Sequence, residues 1–453
     1  MRPTRRITLE FELDLLSPMG IGGTGRGADA EVAFVRDGSG RLVVPGTSIA
    51  GALRALLPAE DADRLFGTME QASPLAVSDG MVARQETVVF RRTAIDRVTG
   101  AALESALFSF EALPPGSTIR FTATLDAASD DSEQEERLAR LVALIEAGHL
   151  VLGRGKTTGW GRTAGRVVES RVVDLVGHAG PGELPAATDW TPPAVTTVGS
   201  ERAKFRIIWH QLQPIMVRNG DSGVFDQMPI VWPTVDGKIR FVIPGSSLKG
   251  ALRSRAEFIV RTVGLGPDRS ASDRKDQIEL PLVTHLFGTP ARDEDHPPGA
   301  GAVRVHDCVS ESELSAEKWE GLIHRALAAG EDDAVSGFIE NGVQVDVVTH
   351  NAIDRWTGGV GDGLLFNSVE AHGVVWNPIE LEIDQKRLGP EPGAAMGLLW
   401  LVLRDLEAGW VPLGGLVNRG FGQIAVSDIE GEGLATSEDG ALAAWRAYAG
   451  ERA

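Results

Sequence analysis

Two glycine-rich segments hold the densest chemistry in the chain. LGRGKTTGWGR (Leu152 to Arg162) sets three cations, Arg154, Lys156 and Arg162, around one aromatic residue, Trp160. LGGLVNRGFGQ (Leu413 to Gln423) sets Arg419 beside Phe421. Glycines let a phosphate chain approach the backbone, cations neutralise it, and an aromatic ring stacks on a base. A turn closed by a core aromatic is the structural alternative. The occurrence of both segments at equivalent places favours the phosphate-binding reading.

A second pair reads VVPGTSIAGALRALL (Val43 to Leu57) and VIPGSSLKGALRSRA (Val242 to Ala256). Pro-Gly followed by hydroxyl residues predicts a turn and a helix start. Thr47 or Ser48 in the first, and Ser246 and Ser247 in the second, are candidate caps. A helix N-terminus also attracts anions. Arg54 adds charge to the first, and Lys249, Arg253 and Arg255 to the second, which makes Ser48, Arg54, Ser246, Ser247, Lys249 and Arg253 candidate RNA contacts. The third pair is Ala-Ile-Asp-Arg, with Ile95, Asp96 and Arg97, then Ile353, Asp354 and Arg355. Its surroundings read as long hairpins able to lie across an RNA strand and wedge its bases apart. The aspartates there suit a local salt bridge with their arginines. Carboxylates stand ahead of each Pro-Gly motif, Asp29 and Glu31 in the first copy and Asp221 and Asp226 in the second. Beside phosphate such groups recruit Mg²⁺ or move protons. From residue chemistry alone an acidic loop is the simpler account. The histidines, among them His210, His285, His306, His350 and His372, show no zinc-site spacing.

These segments recur in one order, together with Leu-Phe-Gly-Thr at Leu65 and Leu286. Four collinear matches predict a duplicated domain. The boundaries fall at residues 5–175 for the first copy and 202–430 for the second. A Pro/Gly-rich linker covers 176–201 and a C-terminal tail 431–453. Within each copy the pattern is α+β. Ile7 to Leu16 alternates as a half-buried strand, and the stretch from Ala203 opens the second copy in the same way. Ile49, Leu53 and Leu56 share a helical face after the first Pro-Gly. Later helices place Leu138, Leu141, Val142 and Ile145, then Leu398, Leu401, Val402 and Leu406, on one stripe each. The order of strand, helix, strands, helix and strand fits a ferredoxin-like fold related to the RNA-recognition motif.

The chain has 453 residues, enough for two domains, and its 43% hydrophobic and 24% charged composition is that of a globular protein. No apolar run is long enough to span a bilayer. The single cysteine, Cys308, excludes an internal disulfide and fits a reducing cytoplasm. A net charge of −19 opposes a nucleic-acid partner, but the acidic residues gather in runs while cations cluster beside glycines, and the local field decides.

Taken in order, the motifs resemble those of the RAMP superfamily, and within it the Cas-seven-type backbone subunits of type III CRISPR effectors. A fused pair is similar to the double-backbone proteins of type III-D-like systems. The resemblance implies two tandem RNA-recognition-like domains, each with an inserted thumb hairpin that carries Ile95 and Arg97 or Ile353 and Arg355. It implies binding to CRISPR guide RNA, complementary target RNA and other type III effector subunits. In active members an aspartate after the first strand supports divalent-metal-dependent cleavage of the target, with Mg²⁺ the expected ion. The 2′-hydroxyl attacks and a cyclic phosphate remains. Asp226 is the matching residue in the second copy, as catalytic group and metal ligand. In the first copy Glu31 falls nearest and Asp29 is two residues away. An inactive RNA-binding scaffold is the competing reading, and a guide-processing ribonuclease or a protein without a nucleic-acid partner are further ones.

Overall fold

The computed structural model describes residues 3–23, 30–93, 95–96, 108–128, 131–175, 186–196, 202–218, 224–234, 236–266, 280–289, 299–329 and 335–451. The chain divides into two compact units. One comprises residues 1–90, 108–156 and 160–200, and the other 91–107, 157–159 and 201–453. Architecture is mixed α+β, with antiparallel sheets and eight helices among the described residues, consistent with ferredoxin-like repeats.

In the first repeat β1 (Arg5–Leu15) is the central strand. Its alternating residues Ile7, Leu9, Phe11 and Leu13 are buried, so one face seeds the core. It pairs antiparallel with β7 (Thr118–Ala127) and β8 (Thr163–Asp174). Beyond β7 lie β4 (Gly80–Val82) and β2 (Val43–Val44), and β3 (Leu75–Val77) also pairs with β7. Helix α1 spans Gly46–Arg54, α2 Ala59–Phe66 and α3 Ser132–Glu146. The side chain of Asp131 caps α3 by accepting from the Gln134 N–H, and Leu138, Leu141, Val142 and Ile145 are buried, as their spacing predicts. Strands β5 (Val88–Arg92) and β6 (Phe108–Ala112) form a separate two-stranded ribbon.

The second repeat repeats this design. Its central strand β9 (Arg202–Gln211) lies between β17 (Ile379–Asp384) and β18 (Ile424–Glu432), with β12 (Val303–Val305) beyond β17. A second sheet joins β10 (Val231–Pro233), β11 (Lys238–Ile243) and β13 (Cys308–Ser315). A third joins β14 (Phe338–Glu340), β15 (Val343–Ile353) and β16 (Val360–His372). Helices are α4 (Gly245–Thr262), α5 (Val283–Phe287), α6 (Ala316–Ala328), α7 (Pro392–Glu407) and α8 (Glu438–Gly450).

Several details depart from the sequence reading. Helix α1 stops at Arg54, so Leu56 lies beyond it; Pro58 follows, and a proline disfavours helical backbone just before it. No proline follows Arg253 so closely, and α4 runs 18 residues. In α7 burial extends past the expected stripe to Leu399, Trp400 and Leu403, while Leu401 is only half-buried. The reason is α8, formed by the expected tail, which joins the same core through Ala441 and Trp445. Part of the expected linker also packs. Trp190 is buried in the first core, and its indole N–H donates to Glu135 at 3.1 Å.

Candidate functional site

The Pro-Gly helix starts are built differently from a hydroxyl cap. Pro45 and Pro244 occupy the N-cap positions, and no side chain of the cap residue bonds the helix. A carboxylate from a distant segment takes the first N–H instead. Gly46 N–H donates to Asp79 at 2.7 Å, and Gly245 N–H to Asp307 at 2.6 Å. The N–H groups of Ser48 and Ser247 turn back to the Pro45 and Pro244 carbonyls. An anion arriving at either start would meet a negative charge already in place. Ser48, Ser246 and Ser247 are half-buried.

The cations that follow are engaged in the fold. Arg54 donates to the Gly67 carbonyl at 2.8 Å and pairs with Asp63. Arg253 donates to the Gly288 carbonyl at 3.0 Å and to Glu257 at 2.8 Å. The repeated Leu-Arg and Leu-Phe-Gly motifs are thus two halves of one latch, with the arginine holding the turn after Phe66 or Phe287. Lys249 is buried and donates to the Val303 carbonyl at 2.9 Å. Burial, with Arg253 and Arg304 nearby, pushes its ammonium down to about 7. Arg255 binds Asp405 at 2.5 Å and lies over the rings of Phe258 and Trp410.

In the closing loops the aromatics face inward. Trp160 is 2% exposed and packs on Phe90 and Phe110 at 4.6 and 5.3 Å between ring centroids. Phe421 is buried at 6% exposure. Neither ring is presented to a base, which corrects the stacking role expected from sequence. The flanking glycines serve the protein's own backbone. Gly161 and Gly422 both have φ of +76°, and a Cβ on either would drive into the carbonyl of Leu152 or Leu413. Arg154 and Arg419 remain exposed, each over a ring, Phe110 at 5.3 Å and Phe366 at 4.6 Å. Lys156 and Arg162 are half-buried.

Of the expected acidic residues, Asp226 and Glu31 are described. Asp226 N–H donates to Asn367 Oδ1 and Asn367 N–H donates to Asp226 Oδ2, both at 2.9 Å. The segment continues as a parallel bridge between Gln227 and Ser368. In the first repeat Glu31 N–H donates to Ser109 Oγ at 3.1 Å, and Val32 bridges Phe110 in the same parallel sense. Glu31 is therefore the positional counterpart of Asp226, and each stands exposed against the return strand of a ribbon. Asp29, Asp221 and Arg97 lie outside the described residues. Ile95, Ile353 and Arg355 are exposed. Asp354 holds its turn through the amide N–H groups of Thr357 at 2.7 Å and Trp356 at 2.9 Å, not by the expected pairing with Arg355. Those N–H groups and the Thr357 hydroxyl hold its carboxyl below the usual range.

Sequence reasoning passed over the second ribbon's polar face. His350 Nε2 lies 2.7 Å from Ser368 Oγ and 3.2 Å from Glu370 Oε1, and Ser368 Oγ donates to Glu370 at 2.9 Å. The His350 ring stacks on Phe366 at 4.8 Å and tilts toward Phe421 at 6.4 Å. The Asp226 segment and the closing loop of Arg419 thus each border the ribbon β15–β16. The available signal was period-two spacing: Phe366, Ser368 and Glu370 share a face of β16, opposite His350 in register.

Comparison with protein families matches the RAMP superfamily over residues 12–164 and 213–425, more than half of the chain. The chain belongs to the RAMP superfamily. The two matched stretches fall within the two expected copies. Comparison with curated proteins found no match. RAMP membership points to a role in CRISPR-associated RNA binding, and RAMP proteins work with RNA inside CRISPR effector complexes. Among the described residues of this RAMP protein no three His, Cys, Asp or Glu side chains are grouped to hold a metal, and no helix is long and apolar enough to cross a membrane. Cys308 is buried, and burial raises its thiol above the ordinary range.

Proposed function

We propose that this protein binds CRISPR guide RNA as a fused double backbone subunit of a type III effector, akin to type III-D, and that its second repeat cleaves complementary target RNA with a divalent metal. The observation that carries the reading is that the exposed residues Asp226 and Glu31 border the return strand of a ribbon at equivalent positions, near an exposed arginine-bearing loop. Each ribbon serves as the thumb laid across the guide–target duplex. Arg154 and Arg419 supply phosphate contacts against the overall charge of −19.

A lone exposed carboxylate fits Mg²⁺, which keeps several waters and is commonly held by one or two carboxylates together with substrate phosphates. Asp226 Oδ1, free of partners among the described residues, would hold it, with RNA completing the shell. The bound ion would neutralise the scissile phosphate. Asn367 fixes the carboxylate's angle, and attack by the neighbouring 2′-hydroxyl leaves a cyclic phosphate.

The test is Asp226→Ala in the guide-loaded complex with Mg²⁺. Loss of target cleavage with unchanged guide retention is the expected result; unaltered cleavage removes Asp226 from the mechanism. The second reading is a catalytically inactive guide-RNA scaffold. That reading predicts an intact target in wild type, and small RNAs of uniform length co-purifying under both.

A further inference from the structure

The base of the β15–β16 ribbon contains an oriented imidazole. Ser368 is 0% exposed and has one hydroxyl proton, which goes to Glu370 Oε1; its oxygen therefore accepts from His350 Nε2–H. The chain His350 to Ser368 to Glu370 fixes the tautomer and leaves the lone pair on Nδ1, an atom without a partner among the described residues. The His350 side chain is 24% exposed. Burying a hydroxyl and a carboxylate is costly unless each is bonded, and such networks concentrate where protons are moved. Among the described residues, the other titratable or charged groups around it are His372, 3.7 Å from Glu370 and 3.9 Å from Asp346, and Arg419 over the Phe366 ring on which His350 stacks. Phe366 adjoins Asn367, the residue that clasps Asp226.

Among the described residues, the first repeat lacks this network. The shared Ala-Ile-Asp-Arg register puts Arg92 in the place of His350. The matching bridges put Phe110 in the place of Ser368, and two residues on Ala112 replaces Glu370. Phe90, Phe110 and Trp160 fill the position with a closed aromatic cluster.

We propose that His350 accepts the proton of the attacking 2′-hydroxyl in the second repeat, and that the first repeat binds RNA without cutting it. The proposal rests on the cleavage reading above. The O2′–H proton passes to His350 Nδ1 as the O2′–P bond forms and the P–O5′ bond breaks. The departing 5′-oxygen takes a proton from solvent, and His350 returns its own. The products are a 2′,3′-cyclic phosphate and a 5′-hydroxyl, with no water consumed in the step. Glu370 acts through His350 as a positioning residue.

The experiment uses the guide-loaded complex and single-turnover cleavage of a complementary RNA with Mg²⁺. His350→Gln should slow cleavage about 10²- to 10⁴-fold, the range for a lost general base, with guide retention unchanged. The pH–rate profiles of wild type and variant should differ, the wild type alone showing a limb that depends on a general base. Added imidazole should restore part of the rate to His350→Ala. Glu370→Gln should cost less and shift the profile. Independently of turnover, an uncleavable target with a 2′-deoxy scissile position should protect His350 from carbethoxylation, read by mass spectrometry. An inactive Asp226→Ala together with a His350→Gln of wild-type rate and profile would sink this inference and leave the cleavage reading standing. A wild type unable to cleave defeats both. Residual cuts at a shifted position in Asp226→Ala would overturn the silence of the first repeat.

Discussion

Replacing Arg253 by methionine separates a latch from an RNA contact. Arg253 is only 15% exposed in its side chain and its partner Glu257 1%. Removing one member of a buried pair costs about 3–5 kcal/mol. Arg261, 3.9 Å from Glu257, retains part of the compensation, which sets the expectation near the low end, about 3 kcal/mol. The same change at Arg54 breaks a pair in which both side chains are 40% and 48% exposed, where about 1 kcal/mol is the ceiling for such pairs. Hydrogen exchange reads both locally. Amides of α4 in Arg253→Met should exchange roughly a hundredfold faster, and those of α1 in Arg54→Met only several-fold faster, at about 1.4 kcal/mol per tenfold. RNA affinity, corrected for folded fraction, should keep its salt dependence. Unchanged α4 protection, with a slope of log K against log salt reduced by about 0.7, the increment for one phosphate on a single strand, would refute the latch.

Trp160→Ala should destabilise the first unit by about 3–5 kcal/mol, seen as an earlier thermal transition, because it opens a cavity between Phe90 and Phe110. Gly422→Ala should render the closing loop sensitive to limited proteolysis, since its +76° φ and the Leu413 carbonyl leave no room for a methyl group. Burial works against ionisation of Glu382, but His306, Arg304 and Arg202 outweigh it and hold its carboxyl well below the usual range. A folded pKa below the unfolded one gives stability that is full above the unfolded value and is lost as pH falls toward the folded one. The gap in urea stability between wild type and Glu382→Gln should therefore be largest near neutrality and shrink below about pH 4.3, the reference value for glutamate.

Much of the fold was legible in the chain. The period of two in β1 and the stripe on α3 both appear where they were expected, because burial on one face leaves a local signature. The meaning of the charged motif residues was not. Whether Lys249 faces solvent depends on Val303, and the task of Arg253 depends on Gly288, partners tens of residues away that no local pattern names. The same holds for Trp160, whose ring packs on strands far off in sequence. His350 was visible only as one of nine histidines until its strand was paired, after which a buried carboxylate two positions past a buried serine set it apart. The bridges that match Glu31 with Asp226 likewise needed the register of the return strands.

The contrast between an aromatic-filled first repeat and a polar second one bears on why the two halves travel together. Made as separate chains, two related subunits could associate in any ratio. One polypeptide keeps their ratio at one to one in every assembly. A half with rings where its twin has histidine, serine and glutamate can then diverge without ever being outnumbered.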